Sequence, residues 1–137
     1  FLKSIIINKG SKEGIIKGMP VTQNKYLVGR IVETNYLSAR VLLLNDLNSR
    51  IPVTFDEKST QAILTGGGTR KPTLEYLPED YQFMDDITVF ASGKDGIFNA
   101  GTPIGKTKDN GEVELFVDPN QLSFVTVNLI KPSKEVF

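Results

Sequence analysis

The sequence has no cysteine, no histidine and no tryptophan among its 137 residues. Without cysteine there are no disulfides, no thiolate nucleophile and no cysteine zinc site. Without histidine the Ser-His-Asp triad, the Cys-His dyad and the commonest transition-metal ligand are lost. Long apolar runs are missing too: the longest uninterrupted aliphatic stretches are Ile5–Ile7 and Val41–Leu44. A membrane-spanning helix needs about 20 apolar residues, so none is encoded here, and no signal-peptide pattern is visible. Nor is there an excess of either charge, since 16 Lys and Arg balance 16 Asp and Glu. Nucleic-acid binding by phosphate neutralisation requires clustered basic excess, which argues against that class of partner. The first residue is Phe1 rather than Met, from which we expect a piece of a longer protein.

What is present is strand periodicity. Hydrophobic residues make up 39% of the chain, enough for a folded core. Twelve Gly and seven Pro are scattered throughout, leaving no long 3.6-residue periodicity. Ile51, Val53 and Phe55, then Val113, Leu115 and Val117, then Val125, Val127 and Leu129 alternate with more polar neighbours, as strands with one buried face do. Turn signals such as Asn110-Gly111 and Gln23-Asn24-Lys25 separate these runs. The pattern predicts about eleven strands, near 5–8, 20–23, 26–34, 39–44, 51–55, 62–65, 72–76, 87–91, 103–108, 112–117 and 124–130. Helix is expected to be scarce, limited to a turn near Asp46–Ser49 or Pro119–Leu122.

One segment is echoed. Lys12-Glu13-Gly14-Ile15-Ile16 followed by Gly18-Met19-Pro20-Val21 resembles Lys94-Asp95-Gly96-Ile97-Phe98 followed by Gly101-Thr102-Pro103-Ile104, and Val28-Gly29-Arg30 parallels Ile104-Gly105-Lys106. A glycine turn, an apolar plug and a Gly-x-Pro strand start, repeated, predict two lobes of similar build. The fold expected is therefore all-β, with two small β-barrel subdomains and little helix. The first spans 1–60, completed or not by 121–137, and the second spans 61–120.

Motifs for chemistry are weak. Gly66-Gly67-Gly68-Thr69-Arg70-Lys71 lacks the spacing of a phosphate loop and runs into a strand, so it reads as a flexible connection. The adjacent pairs Glu79-Asp80 and Asp85-Asp86 point to opposite sides of an extended chain, unlike a catalytic carboxylate pair. Arg40, Asp46 and Arg50 read either as a charge network or as a solvated cluster. No catalytic residue, metal or cofactor is expected. The most unusual stretch is Glu75–Asp86, which holds five acids, no base, and Tyr76, Tyr81 and Phe83. Aromatic side chains in a polar loop pack on their own domain or on a partner. These three are the candidate protein-contact residues.

Several of these segments together resemble a family. Val28-Gly29-Arg30-Ile31-Val32-Glu33, Ser38–Asp46 and Ser49-Arg50-Ile51-Pro52-Val53 are similar to the first signature of the bacterial rod shape-determining MreC family, and Asp86–Phe98 with Gly101–Gly105 to the second. Leu74-Glu75-Tyr76-Leu77-Pro78 fits between them. The chain departs from the family pattern at Asp85-Asp86, where Gly-Asp is usual, and at Phe98-Asn99-Ala100-Gly101, where Phe-Pro-x-Gly is usual.

The resemblance implies two small β-barrels at the extracytoplasmic face of the bacterial inner membrane, anchored by a helix outside this chain. It implies a non-catalytic scaffold of the cell-wall elongation machinery that maintains rod shape, binds a class B penicillin-binding protein and self-associates. The membrane protein MreD and the actin-like MreB would belong to the same assembly. An oligonucleotide- or oligosaccharide-binding barrel is the alternative, for which Lys3, Lys9, Lys12, Lys17 and Lys25 would be the basic face, with Tyr26 its only nearby aromatic. A degenerate hydrolase barrel fails for want of histidine.

Overall fold

A computed structural model describes residues 3–94 and 100–129. Eleven strands dominate it: β1 (Ser4–Ile7), β2 (Pro20–Gln23), β3 (Tyr26–Thr34), β4 (Ala39–Leu43), β5 (Arg50–Phe55), β6 (Thr60–Gly67), β7 (Arg70–Glu75), β8 (Thr88–Ala91), β9 (Pro103–Thr107), β10 (Val113–Leu115) and β11 (Thr126–Val127). The described helix is two single 3-10 turns, Ser11–Glu13 and Pro119–Gln121. None is long and apolar enough to cross a membrane among the described residues.

Every described strand pairing is antiparallel, and the strands form two sheets. The first runs in the order β1-β4-β3-β2-β11 and is an open half-barrel. The second runs β10-β9-β8-β5-β6-β7. Its two end strands meet through a bridge between Thr73 and Glu112 and a 2.9 Å bond from the Leu74 N–H to the Gly111 carbonyl, so this barrel is nearly closed. Closure removes edges that would otherwise pair with other chains. Among the described residues the first sheet keeps two, β1 and the two-residue β11.

Local chemistry sets the turns. Gln23 pairs with Tyr26, leaving Asn24 and Lys25 as a two-residue loop with φ of 52° and 72°, the geometry that matches strand twist. The echoed segments are built alike where both are described. Gly18 and Gly101 have positive φ, Pro20 and Pro103 each open a strand, and a Cβ on Gly29 or Gly105 would collide with the facing carbonyl of Leu42 or Glu114. The echo's Asp95–Phe98 lies outside the described residues.

The expected division at residue 60 is not where the sheets part. They part at 44–49, and β5 belongs wholly to the second sheet because Ile51, Val53 and Phe55 point into its core. The chain then returns: β11 pairs with β2. The expected strand at 124–130 shrinks to Thr126–Val127, with Phe124 left 93% exposed and Ile130 outside the described residues.

The connector between the sheets is not a loose linker. Leu44, Asn45, Asp46 and Ser49 are buried. The Asp46 carboxylate accepts from the backbone N–H of Lys3 and, at 2.7 Å, from that of Asn48. Arg40 instead reaches Glu33 at 4.0 Å, and Arg50 Nη1 donates to the carbonyls of Leu47 and Ser49, so of the two readings of Arg40, Asp46 and Arg50 the charge network does not form among the described residues. The glycine run has a definite role. Gly66 and Gly67 end β6, Gly68-Thr69 make its turn, the Gly66 N–H donates to Ser49 O at 3.0 Å and the Gly68 N–H to Asn45 O at 2.7 Å. A Cβ on Gly66 would be driven into the Asp46 carbonyl.

The two cores interlock across this junction. Leu27 of β3 and Leu44 pack in the second core, while Val117, beyond β10, packs in the first. Tyr26 and Phe116 meet at 4.7 Å between ring centroids. Gly66→Ala is therefore expected to destabilise the chain by about 3 kcal/mol, the upper range for overpacking a site bounded by backbone. Denaturant titration checks this, with Thr69→Ala in the exposed turn as a near-neutral control.

Candidate interaction surface

The acidic aromatic stretch forms the connection between β7 and β8. Its backbone takes unusual turns: Tyr76, Asp80 and Asp86 have φ of 62°, 60° and 62°. For Asp this is common, because the short side chain tolerates the left-handed region; for Tyr it is strained. The connection is nevertheless fastened to the second barrel. The Thr107 hydroxyl donates to the Met84 carbonyl at 2.6 Å and accepts from the Ile87 N–H at 3.1 Å. The Asp86 N–H donates to Thr107 O at 2.9 Å, and the Asp109 N–H to Asp85 Oδ1 at 2.9 Å.

The three aromatics divide in role. Tyr81 stacks edge-on against Phe55 at 5.7 Å and against Phe83 at 5.1 Å, and both loop rings pack on the second core. The Phe83 ring lies over Gly111, where a Cβ would come within 3.0 Å of it. Tyr76 is not brought to them; it is 80% exposed and makes no ring contact among the described residues. So the structure places two candidates inward and one outward.

The Tyr81 hydroxyl donates to Asp56 Oδ2 at 2.8 Å. Asp56 also accepts from the Thr60 hydroxyl at 2.6 Å and from the backbone N–H groups of Lys58 and Thr60. Burial and then the Asp56 hydrogen bond and charge push the Tyr81 phenol up to about 12. Burial pushes the Asp56 carboxyl upward, but the hydrogen bonds from Thr60, Tyr81 and Lys58 together outweigh it and hold Asp56 below the usual range. Just past β9, beside this connection, half-exposed Lys108 lies 3.2 Å from Glu114, whose hydrogen bond and charge raise the ammonium.

Beside this connection lies a groove of about 960 Å³. Pro78, Tyr81, Met84, Ile87 and Phe90 supply its apolar lining, and Glu57, Glu79 and Asp80 lie on its acidic side. A smaller depression of about 490 Å³ sits at the junction, lined by Lys3, Asn45, Gly68–Pro72 and Asp118–Asn120 among others. Among the described residues no group of three or more Asp or Glu is arranged to hold a metal ion.

Further exposed apolar side chains escaped the sequence reading. Ile6 stands on edge strand β1, Tyr36 and Leu37 cap the β3–β4 hairpin, and Leu47, Phe124 and Leu129 are also open to solvent. Tyr36-Leu37 between two strand patterns was the readable signal, since an aromatic-aliphatic pair in a four-residue connection has no core to enter.

Together these features describe a double-sheet, all-β module with open edges and apolar side chains held outward on a firm frame. The family model for the rod shape-determining protein MreC, barrel core, matches residues 1–129. The cell shape-determining protein MreC of Caulobacter vibrioides is 36% identical over 135 residues, covering 96% of this chain and 39% of that protein. The chain thus spans well under half the length of that curated relative. A crystal structure of MreC from Pseudomonas aeruginosa superposes with a TM-score of 0.73 at 32% identity, covering 93% of this chain and 79% of the other. At lower identity the fold alone is shared. A Helicobacter pylori complex between a penicillin-binding protein and MreC gives 0.66 at 15% over 77% and 67% of the two chains. The major periplasmic domain of the cell shape-determining filament MreC gives 0.69 at 19% over 84% and 78%. The chain belongs to the MreC family.

Tyr81→Phe is expected to lower stability by about 1–2 kcal/mol at neutral pH, the worth of a partly solvated hydrogen bond to a carboxylate. A phenol raised in the folded state contributes stability that is complete below its unfolded value of about 10 and is lost as pH climbs through the folded value. Wild type and Tyr81→Phe melting temperatures should therefore converge between about pH 10 and 12, the window set by the folded value near 12. Parallel pH profiles would show that the bond does not couple to folding.

Proposed function

We propose that this chain is the extracytoplasmic β region of a membrane-anchored shape-determining protein and works as a non-catalytic scaffold of cell-wall elongation. It binds a class B penicillin-binding protein and self-associates, in an assembly that also contains MreD and MreB. The observation that carries this reading is family membership over residues 1–129 together with apolar side chains held outward on edge strand β1 and on the connections between strands. The name of the Caulobacter relative supports a role in cell shape. The Helicobacter complex supports a penicillin-binding protein as partner, and the periplasmic filament domain supports both the compartment and self-association.

In this reading the β7–β8 connection is a partner contact. Tyr76 makes it directly, and Tyr81 and Phe83 hold the connection in place. A large aromatic side chain in a strained left-handed backbone, with no packing to repay the strain, is a mark of a binding residue. The edges β1 and β11 are further sites for strand addition.

The test is capture of a class B penicillin-binding protein from solubilised membranes of the source bacterium by the immobilised chain, followed by titration with the purified partner. Tyr76→Ala should weaken binding about tenfold while leaving the melting temperature unchanged. Tyr81→Ala should lower both. Full affinity in a folded Tyr76→Ala variant would remove Tyr76 from the contact, and failure to capture any such enzyme would contradict the partner assignment.

A further inference from the structure

The smaller depression, at the junction of the two sheets, has no part in the reading above. Segments far apart in sequence line it: Lys3, Asn45 of the connector, the β6–β7 turn at Gly68–Pro72, and Asp118–Asn120. Strand β10 adds Glu114 and Leu115. Their backbones are pinned to one another. The Lys3 N–H donates to the Asp46 carboxylate, and the Gly68 N–H donates to Asn45 O at 2.7 Å.

The charges around it do not cancel. Glu114 lies 3.8 Å from Lys71 and 3.2 Å from Lys108, one carboxylate between two ammonium groups. Asp118 Oδ1 is occupied by the Asn120 N–H at 2.9 Å. The Asp46 carboxylate, outside the lining, is taken up by the N–H groups of Lys3 and Asn48. That leaves the side chains of half-buried Lys3 and exposed Arg70, neither of which has an ion-pair partner among the described residues.

Asn45 is an independent sign. It is only 8% exposed, yet its Oδ1 has no hydrogen-bond partner among the described residues. Buried carbonyl oxygens in folded proteins are nearly always paired, because leaving one without a donor costs stability. An unpaired acceptor beside two unpaired cations fits a ligand with two features. It must be an anion for Lys3 and Arg70, and it must bring its own N–H for Asn45.

Size and lining narrow the class. A volume of about 490 Å³ suits a ligand of dipeptide size and is far larger than a simple inorganic anion needs. Pro72, Leu115 and Pro119 offer apolar surface to small aliphatic groups. The carboxyl end of a peptide carries all of this: a carboxylate that matches a guanidinium fork, an amide N–H next to it, and small side chains. We propose that the junction depression binds the free carboxyl end of a short peptide, with the carboxylate at Lys3 and Arg70 and the last amide N–H donating to Asn45 Oδ1. This site does not depend on the partners proposed above.

Amide chemical-shift titration of the chain tests this. The probe is N-acetyl-alanyl-alanine in its L,L and D,D forms, since the contacts named do not set the hand. The amides of Gly68, Thr69 and Asn120 should shift with at least one form and saturate in the millimolar range expected of so small a ligand. The carboxamide of the same probe lacks the charge and should bind at least about tenfold more weakly, as should Lys3→Gln/Arg70→Gln with the acid. Asn45→Leu should weaken the acid at least about fivefold yet melt no lower than wild type, because it removes an unpaired acceptor. Melting temperatures establish that the variants fold, and if Asn45→Leu does not, the carboxamide and the double variant decide. No shift at the depression with either form would overturn the site, as would equal binding of the carboxamide or unchanged binding by the folded double variant. Acetate binding as tightly as the peptide would reduce the site to an anion contact and overturn the peptide assignment.

Discussion

The connector at 44–49, in which Leu44, Asn45, Asp46 and Ser49 are buried, is the constraint on which the rest of the structure depends. Its buried backbone groups must be satisfied without water. Here the partners come from both sides. Asp46 takes the Lys3 N–H at the start of the first sheet, while Asn45 and Ser49 receive N–H bonds from Gly68 and Gly66 of the second. Only glycine lets β6 approach so closely. Leu27 and Leu44 crossing one way and Val117 the other make the two cores interdependent. Each sheet by itself would bury little apolar surface, and small cores are marginal.

This rigidity bears on binding. A surface that acts by contact loses affinity if its loops must be ordered at the moment of association. The β7–β8 connection is already ordered, by Thr107, by the Tyr81–Asp56 bond and by the Phe83 ring over Gly111. The exposed side chains of that connection, Tyr76 and Met84, are therefore presented on a fixed backbone. The same holds at the β3–β4 tip, where the N–H groups of Ser11 and Lys12 brace the carbonyls of Asn35 and Tyr36.

Much of this was legible in the sequence, for local reasons. Strand positions follow period-two alternation and turn residues, both short-range signals; β2 and β3 fall on the expected residues, and the other strands differ at their ends. The all-β class and the family signatures were equally visible. What was hidden depends on distant partners. Nothing local tells β5 to join the later strands, so the division was placed at 60 instead of 44–49. Asp46 looked like a surface charge because its main donor, the Lys3 N–H, is 43 residues away. The glycine run looked flexible because the carbonyl it accommodates belongs to the connector. Tyr76, Tyr81 and Phe83 stand out in the sequence as aromatics in an acidic stretch, but which ring turns inward is decided by Phe55, Asp56 and Gly111.

Native-state hydrogen exchange is the most direct test of the claim that the connector welds the two sheets into one unit. The informative amides are Ile31 in the first sheet, Leu44 and Gly66 at the junction, and Ala91 in the second, each donating to a backbone carbonyl. Cooperative unfolding gives all four the same opening free energy, equal to that of global unfolding. If Ile31 instead exchanges at a clearly lower free energy than Ala91, with Leu44 and Gly66 following it, the sheets open separately and the junction does not hold them together.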